Sequence, residues 1–188
     1  MKGAWGKALR AFCFPGGVMA IPLIKTARLR LRPYQAGDFP AFAALWADPG
    51  FCAQVGVPPR GESEAWSSFL RGAGQWLIEG YGQWAVAGPG DEFWGQVGFF
   101  RAYRGFGADF DPYPEAGWVL APRYQGQGYG REAVVAALTW FDKAVGGPLV
   151  AIISQGNAPS LRLAAEMGFA VRRAVDEDSA PAFLLRRG

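Results

Sequence analysis

The chain contains no histidine and only two cysteines, Cys13 and Cys52, among its 188 residues. The absence of histidine excludes a Ser-His-Asp triad, a Cys-His dyad and every metal site that uses imidazole. Two cysteines are too few for a disulfide framework or a cysteine zinc cluster. We therefore expect no metal site, and any general base must be a carboxylate, a lysine, a tyrosine or water.

Long apolar runs are also missing, because no stretch approaches the roughly 20 residues that a membrane-spanning helix needs. Hydrophobic residues nevertheless make up 51% of the chain, which predicts one folded domain with a substantial core. Residues 1–60 carry 8 Lys or Arg and 2 Asp or Glu, whereas residues 61–188 carry 11 and 14. Because the basic excess is confined to one end, we expect neither a nucleic-acid nor a membrane partner. A cytoplasmic location fits this composition.

The N-terminal residues imitate a signal peptide only faintly. Lys2, Lys7 and Arg10 precede a mildly apolar stretch over residues 11–24, but Pro15-Gly16-Gly17 interrupts it and no clean cleavage site follows. We interpret residues 1–20 as a flexible extension and residues 21–188 as the folded domain.

Hydrophobic periodicity and turn residues predict one mixed α/β (α+β) domain with a mostly antiparallel sheet flanked by helices. Asp38 is the expected cap of a first helix that ends near Ala47. A second helix is predicted over residues 61–79, with an apolar stripe formed by Trp66, Phe69, Leu70, Trp76 and Leu77. The predicted strands cover residues 26–33, 81–87, 93–101, 115–121, 149–153, 169–174 and 182–186, and two later helices run to about Ala144 and from Asn157 to Met167.

The most informative segment is Gln125-Gly126-Gln127-Gly128-Tyr129-Gly130, between an apolar strand and an amphipathic helix. Glycine lets the backbone approach a ligand closely, and the first amides of the following helix lack internal partners. Such a loop is suited to hold a phosphate or a pyrophosphate. A tight turn without a ligand is the alternative. Arg131-Glu132 replaces the Lys-Ser/Thr of a P-loop, and the loop comes too late in the chain for a Rossmann fold.

The ordered motifs resemble the GNAT acetyltransferase superfamily, whose signature Arg/Gln-x-x-Gly-x-Gly/Ala is matched by Gln125, Gly128 and Gly130. The chain is most similar to the ribosomal-protein N-terminal acetyltransferase branch (RimJ/RimL-like). Three further segments carry that similarity, over roughly residues 24–187: TARLRLRPYQAGD at the start, Gly117-Trp118-Val119-Leu120 followed by Pro122, and Asn157-Ala158-Pro159-Ser160 followed by Glu166-Met167-Gly168-Phe169.

The resemblance implies acetyl-CoA as cosubstrate and assigns roles to specific residues. The amides of Gln125, Gly126, Gln127, Gly128, Tyr129 and Gly130, with Arg131, would hold the pyrophosphate. The pantetheine arm would pair with Trp118, Val119 and Leu120, and the backbone N–H of Val119 or Leu120 would polarise the thioester carbonyl. Asn157 would act as a helix cap alone or also bind the pantetheine, and Ser160 would lie beside the sulfur.

The implied reaction is a direct attack of a primary amine on the thioester, with Glu115 as candidate base. Because no tyrosine occurs in residues 157–170, the general acid is Ser160, acting through water, or none. The acceptor is a protein N-terminal α-amine or a small amine. Asp109 and Asp111 would attract a cationic acceptor, although ordinary loop carboxylates are the more frequent case. The alternatives are a non-catalytic acyl-CoA sensor and an aminoglycoside-type enzyme. A monomer and a homodimer both remain open.

Overall fold

The computed structural model describes residues 20–177 and 180–188. The predicted N-terminal extension therefore lies outside the described residues except for Ala20. Within the described part of the chain, no helix is both long and apolar enough to span a bilayer.

The described residues form eight strands and five α-helices. The strands are β1 (Ile24–Lys25), β2 (Arg30–Arg32), β3 (Gln83–Ala87), β4 (Phe93–Phe100), β5 (Glu115–Leu120), β6 (Leu149–Ser154), β7 (Ala170–Glu177) and β8 (Ala180–Arg187). The helices are α1 (Phe39–Ala47), α2 (Pro49–Val55), α3 (Glu62–Glu79), α4 (Tyr129–Ala144) and α5 (Ala158–Glu166).

One sheet contains all eight strands, in the order β1-β2-β3-β4-β5-β6-β8-β7. Every neighbouring pair is antiparallel except β5 and β6, which are parallel. The mixed, mostly antiparallel sheet that the sequence predicts is thereby confirmed. Since α4 connects the two parallel strands, the glycine loop lies at the carboxyl end of β5.

The two faces of the sheet pack against different helices. The front face, which carries Ala85 and Val119, packs on aromatic residues of α1, α2 and α3. The back face, which carries Trp84 and Leu120, packs mainly on the apolar stripe of α4. The site described below lies where these two layers meet at the end of β5.

Two expectations about the helices need correction, and one helix was not predicted. Asp38 precedes α1 but its side chain accepts no helix amide, because its carboxylate binds the Arg32 guanidinium at 2.7 Å and the amide of Gln35. Helix α2 was not predicted, since Pro49-Gly50 imitates a loop but serves as a helix start capped by Asp48. On α3 only Phe69 and Trp76 of the predicted stripe are buried; Trp66, Leu70 and Leu77 are exposed.

Candidate functional site

Strands β5 and β6 separate almost as soon as they pair. Their ladder holds a single register pair, Glu115 with Val150, whereas β5 pairs with β4 over its whole length. The carboxyl end of α2 packs against the end of β6 and Val55 borders the opening, because a Cβ at Gly56, the residue after the helix, would lie 2.7 Å from the Cβ of Ser154. The result is a V-shaped opening whose wall on one side is the free edge of β5.

The free edge of β5 presents alternate peptide groups. The amide of Ala121 donates to the carbonyl of Trp94 on β4 at 2.8 Å, and the peptide groups of an antiparallel strand alternate in direction. The N–H of Val119 therefore points toward β4, while those of Trp118 and Leu120 point into the opening. Of the two amides considered for polarising a carbonyl, the geometry favours Leu120.

Two connected spaces occupy the opening. The inner cavity, of about 60 Å³, is lined by Val55 of α2, by β5 and β6, and by Asn157 and Ser160. The larger groove, of about 440 Å³, runs from Val119 along the glycine loop to Arg131, Arg162 and Glu166. A long flexible ligand could therefore extend from the helix N-terminus of α4 to the base of the opening.

The glycine loop offers unpaired amides to this groove. No turn hydrogen bond uses the amides of residues 126–131, whereas the amide of Gln125 donates to the carbonyl of Pro122 at 3.1 Å. A Cβ at Gly126 would meet no atom within 4 Å, so this glycine borders open space. The amide cradle predicted over residues 125–130 is therefore open from Gly126 onward, and its shape suits a diphosphate.

Side chains of the same loop serve as anchors. The side-chain NH2 group of Gln125 donates to the backbone carbonyl of Leu120 at 2.8 Å, and the side-chain oxygen of Gln125 accepts a hydrogen bond from the side chain of Gln54 on α2. The side-chain NH2 group of Gln127 donates to the backbone carbonyl of Arg123. The ring of Tyr129 packs edge-on against Trp94, with centroids 5.0 Å apart. These three side chains fix the loop, and its main chain is left to face a ligand.

Arg28 supports the loop from outside the groove, a role that no local sequence pattern predicts. Its guanidinium donates to the carbonyl of Gln127 at 3.0 Å, pairs with Glu132 at 2.7 Å and lies 4.4 Å from the ring centre of Tyr129. Burial disfavours the ionised form of Glu132, but hydrogen bonds from Thr26 and Arg28 outweigh it and hold the pKa of this carboxyl below its usual value. The carboxylate in the first turn of α4 is thus neutralised rather than left to repel an anion.

Asn157 and Ser160 lie together at the end of β6. Asn157 caps α5, because its Oδ1 accepts the amide of Ser160 at 3.2 Å. Asn157 is 8% exposed, and both residues line the groove and the inner cavity. No described atom accepts a hydrogen bond from the Nδ2 of Asn157, so this donor is left for a ligand while the Oδ1 caps the helix.

Glu115 is placed differently from the other predicted residues. It is 4% exposed on the front face, and both of its carboxylate oxygens bind the guanidinium of Arg104, at 2.7 and 2.9 Å. Its neighbour Ala116 lines the inner cavity, but Glu115 is not among the lining residues. The structure therefore brings Glu115 to the closed base of the opening, already ion-paired.

The predicted acidic loop is also neutralised. The carboxylate of Asp109 pairs with Arg173 at 3.2 Å, a contact that lowers the pKa of this carboxyl. Asp111 accepts the amides of Gly107 and Phe106 at 2.8 and 3.3 Å. Both carboxylates hold the loop together and neither lines the groove or the inner cavity.

Comparison with known proteins places this architecture in a family. Residues 28–170 match the model of the acetyltransferase (GNAT) domain. A protein from Bordetella pertussis described as a GNAT-family acetyltransferase is 34% identical, with a TM-score of 0.79, and the match covers 89% of this chain and 100% of that one. An acetyltransferase from Agrobacterium tumefaciens is 30% identical, with a TM-score of 0.76, over 90% and 95% of the two chains.

More distant structures share the fold at 16% identity. One is RimL, a ribosomal L7/L12 α-N-protein acetyltransferase in complex with coenzyme A, with a TM-score of 0.70 over 88% of this chain and 97% of that one. Another is spermidine N-acetyltransferase from Vibrio cholerae in complex with coenzyme A and spermine, with a TM-score of 0.68 over 86% and 95%.

Proposed function

Because the chain belongs to the GNAT acetyltransferase family and uses acetyl-CoA as cosubstrate, we propose that it acetylates the α-amine at the N-terminus of a protein. The observation that carries this proposal is the charge of the cleft. Glu166 is the one carboxylate among the residues that line the groove and the inner cavity, and Arg131 pairs with it at 3.2 Å. A polyamine or an aminoglycoside carries several positive charges and would meet no unpaired carboxylate on these walls.

The state of the other carboxylates supports the same choice. Arginines or backbone amides already bind Asp109, Asp111 and Glu115, the carboxylates that the sequence suggested for the acceptor and the base. Fold neighbours include enzymes for both acceptor types, a ribosomal protein and spermidine. The neutralised carboxylates favour the acceptor that carries a single amine.

For the coenzyme, the amides from Gly126 to Gly130 would hold the pyrophosphate and Arg131 would add a positive charge. The N–H groups of Trp118 and Leu120 would pair with the pantetheine arm, and the Leu120 N–H would stabilise the negative charge that develops on the carbonyl oxygen. The Nδ2 of Asn157 would donate to a pantetheine carbonyl.

The reaction that this site supports is a direct transfer. The amine nitrogen forms a bond to the carbonyl carbon, the carbon–sulfur bond breaks, and the sulfur leaves as a thiolate that Ser160 protonates through water. An α-amine has a pKa near 8, so a substantial fraction is neutral at physiological pH and a weak base suffices. We assign that base to Glu115, acting through water, since Arg104 already holds both of its oxygens.

Turnover with acceptors of different charge tests the proposed function. Release of free thiol from acetyl-CoA should be fastest with N-terminal peptides, and slower with spermidine or an aminoglycoside. Preferred acetylation of a polycation would contradict the proposal. Binding of acetyl-CoA without turnover on any amine would instead support the alternative of a sensor.

Replacement of Glu115 by Gln tests the base. If Glu115 accepts the proton, kcat should fall most at low pH, because neutral amine is scarcest there and the remaining route is uncatalysed. If Glu115 only anchors Arg104, the variant should melt at a lower temperature with an unchanged pH–rate profile. The variant Arg104→Gln is the matched control, since it breaks the same ion pair but keeps the carboxylate.

A further inference from the structure

Gln96 is a polar side chain in the otherwise apolar front layer. It lies on β4, directly between Ala85 of β3 and Val119 of β5, and it is only 8% exposed. Laterally paired residues share a face of the sheet, so its side chain lies on the front face beside Val119. Gln96 also lines the groove that Val119 lines.

One end of this carboxamide is fixed by Tyr34. The Tyr34 hydroxyl donates to the Oε1 of Gln96 at 2.9 Å, and its ring stacks on Phe69 with centroids 4.8 Å apart. The helix backbone presses on the same ring, because a Cβ at Gly72 would lie 3.0 Å from it. Burial raises the pKa of the Tyr34 hydroxyl, so it stays a neutral donor.

The other end of the carboxamide has no protein partner. No described atom accepts a hydrogen bond from the Nε2 of Gln96, although the residue is more than nine-tenths buried. Among the described residues, the fully buried side-chain nitrogens without a hydrogen-bond partner are Arg30 Nε and Trp46 Nε1, so the Nε2 of Gln96 still reaches solvent. Since the side chain borders the groove, a bound substrate can replace water as the acceptor of this donor.

The position of Gln96 separates it from the coenzyme. The peptide groups assigned to the pantetheine arm point from β5 toward β6, whereas Gln96 stands on β4, on the opposite side of β5 and about 4.8 Å further away. Its side chain lies on the front face, under α1, α2 and α3. Gln96 therefore lies on the front-face wall of the groove, away from the β5 edge assigned to the pantetheine, a position that suits the second substrate better than the coenzyme.

The chemistry of that donor selects the substrate class. An NH2 group requires an acceptor with a lone pair, which the protonated nitrogens of a polyamine do not offer, whereas an N-terminal peptide has a carbonyl two bonds from its amine. We propose that the carboxamide of Gln96 donates a hydrogen bond to the first carbonyl oxygen of the acceptor peptide and thereby orients the α-amine. This inference rests on the proposed function.

A pair of acceptor peptides tests the contact. The first is an alanine-leading peptide, and the second is the same peptide with a thioamide at its first peptide bond, since sulfur is a weak acceptor. The wild-type enzyme should lose about 10-fold in kcat/KM on the thioamide. The variant Gln96→Met should show a similar loss on the oxygen peptide and no discrimination between the two. Its affinity for acetyl-CoA, measured by calorimetry, should stay within twofold.

Two further variants keep the test decisive. Gln96→Glu retains the acceptor for Tyr34 but places an oxygen where the NH2 stood, so it should lose discrimination even if Gln96→Met folds poorly. Gln155→Met makes the same change at an exposed position and should discriminate like the wild type. Equal discrimination by the wild type and both Gln96 variants would overturn the inference alone. Failure of the wild type to acetylate any N-terminal peptide would overturn the proposed function, and the inference with it.

Discussion

Removal of the Arg28 side chain should loosen the glycine loop without touching the groove. Arg28→Ala deletes the hydrogen bond to the carbonyl of Gln127, the ion pair with Glu132 and the contact with the ring of Tyr129. These three contacts connect the turn that precedes β2 to the glycine loop and to the first turn of α4. The prediction is that coenzyme binding weakens because the loop amides lose their fixed orientation.

The magnitude follows from the exposure of the contacts. The Arg28 side chain is 46% exposed, so its ion pair contributes about 0.5 kcal/mol after screening by solvent. The hydrogen bond to Gln127 contributes about 1 kcal/mol and the ring contact about 0.5 kcal/mol. Stability should therefore fall by about 2 kcal/mol, which lowers Tm by roughly 4–8 °C. If only the hydrogen bond to Gln127 affects coenzyme binding, its loss of about 1 kcal/mol should raise the Kd for coenzyme A about fivefold.

The assay is a calorimetric titration with coenzyme A, combined with thermal unfolding of the free protein. Arg28→Lys should recover only part of the affinity, because an ammonium group cannot reproduce the planar fork that reaches Gln127 and Glu132 together. Arg123→Ala is the matched control, since it removes the same charge near the loop but its guanidinium lies over the ring of Tyr124 rather than on the loop. An unchanged Kd in Arg28→Ala would refute the reasoning, and equal weakening in both variants would reduce the effect to net charge.

Two other changes give clear expectations. Gly128 has φ +80° and a Cβ there would lie 3.4 Å from Arg28, so Gly128→Ala should raise the Kd for coenzyme A about 10-fold. Gly130→Ala should leave that Kd unchanged, because its Cβ would make an ordinary 3.8 Å contact with Leu120. Equal Kd values for the two variants by calorimetry would contradict this expectation. Because the pKa of Glu132 is lowered in the folded protein, its contribution to stability is present above about pH 4.3 and is lost as the pH falls through the folded value. The difference in Tm between the wild type and Glu132→Gln should therefore shrink between pH 6 and pH 3, and a constant difference would argue against the ion pair with Arg28.

Local patterns were sufficient to predict the elements that position the site. The β3–β4 hairpin, α4 and α5 follow from alternation, helical spacing and glycine ends, and the structure confirms them. Helix α2 escaped prediction because its seven residues are too short for a periodic signal. The apolar stripe predicted on α3 is wider than the face that is buried, because periodicity identifies a helix face but not how much of that face a neighbouring element covers.

Contacts between distant residues were beyond the reach of sequence patterns. Arg28 lies 99 residues from Gln127, and Tyr34 lies 62 residues from Gln96, so neither pair leaves a local signal. The separation of β5 from β6 also leaves no local signal in the sequence, although it leaves the amides on that edge of β5 without a strand partner. Sequence reasoning named the residues of β5 but could not choose between Val119 and Leu120.

The geometry of β5 explains how one strand can serve two substrates at once. Its free peptide groups lie in the plane of the sheet, so a thioester paired with Leu120 presents the faces of its carbonyl toward the front and the back. The side chain of Trp118 lies on the back face, where its ring packs against Phe169, and a nucleophile must approach a carbonyl from one of its faces. We therefore propose that the amine arrives from the front, past Val119 and α2, while the coenzyme stays paired with the edge of β5.

This arrangement argues for a ternary complex rather than an acyl-enzyme. The described cysteine, Cys52, is buried and its sulfur contacts the carbonyl of Trp46 at 3.3 Å. Burial raises the pKa of its thiol, which disfavours the thiolate that a nucleophile requires. Since the chain contains no histidine that could activate Ser160, direct attack by the substrate amine is the route that the residues of this site support.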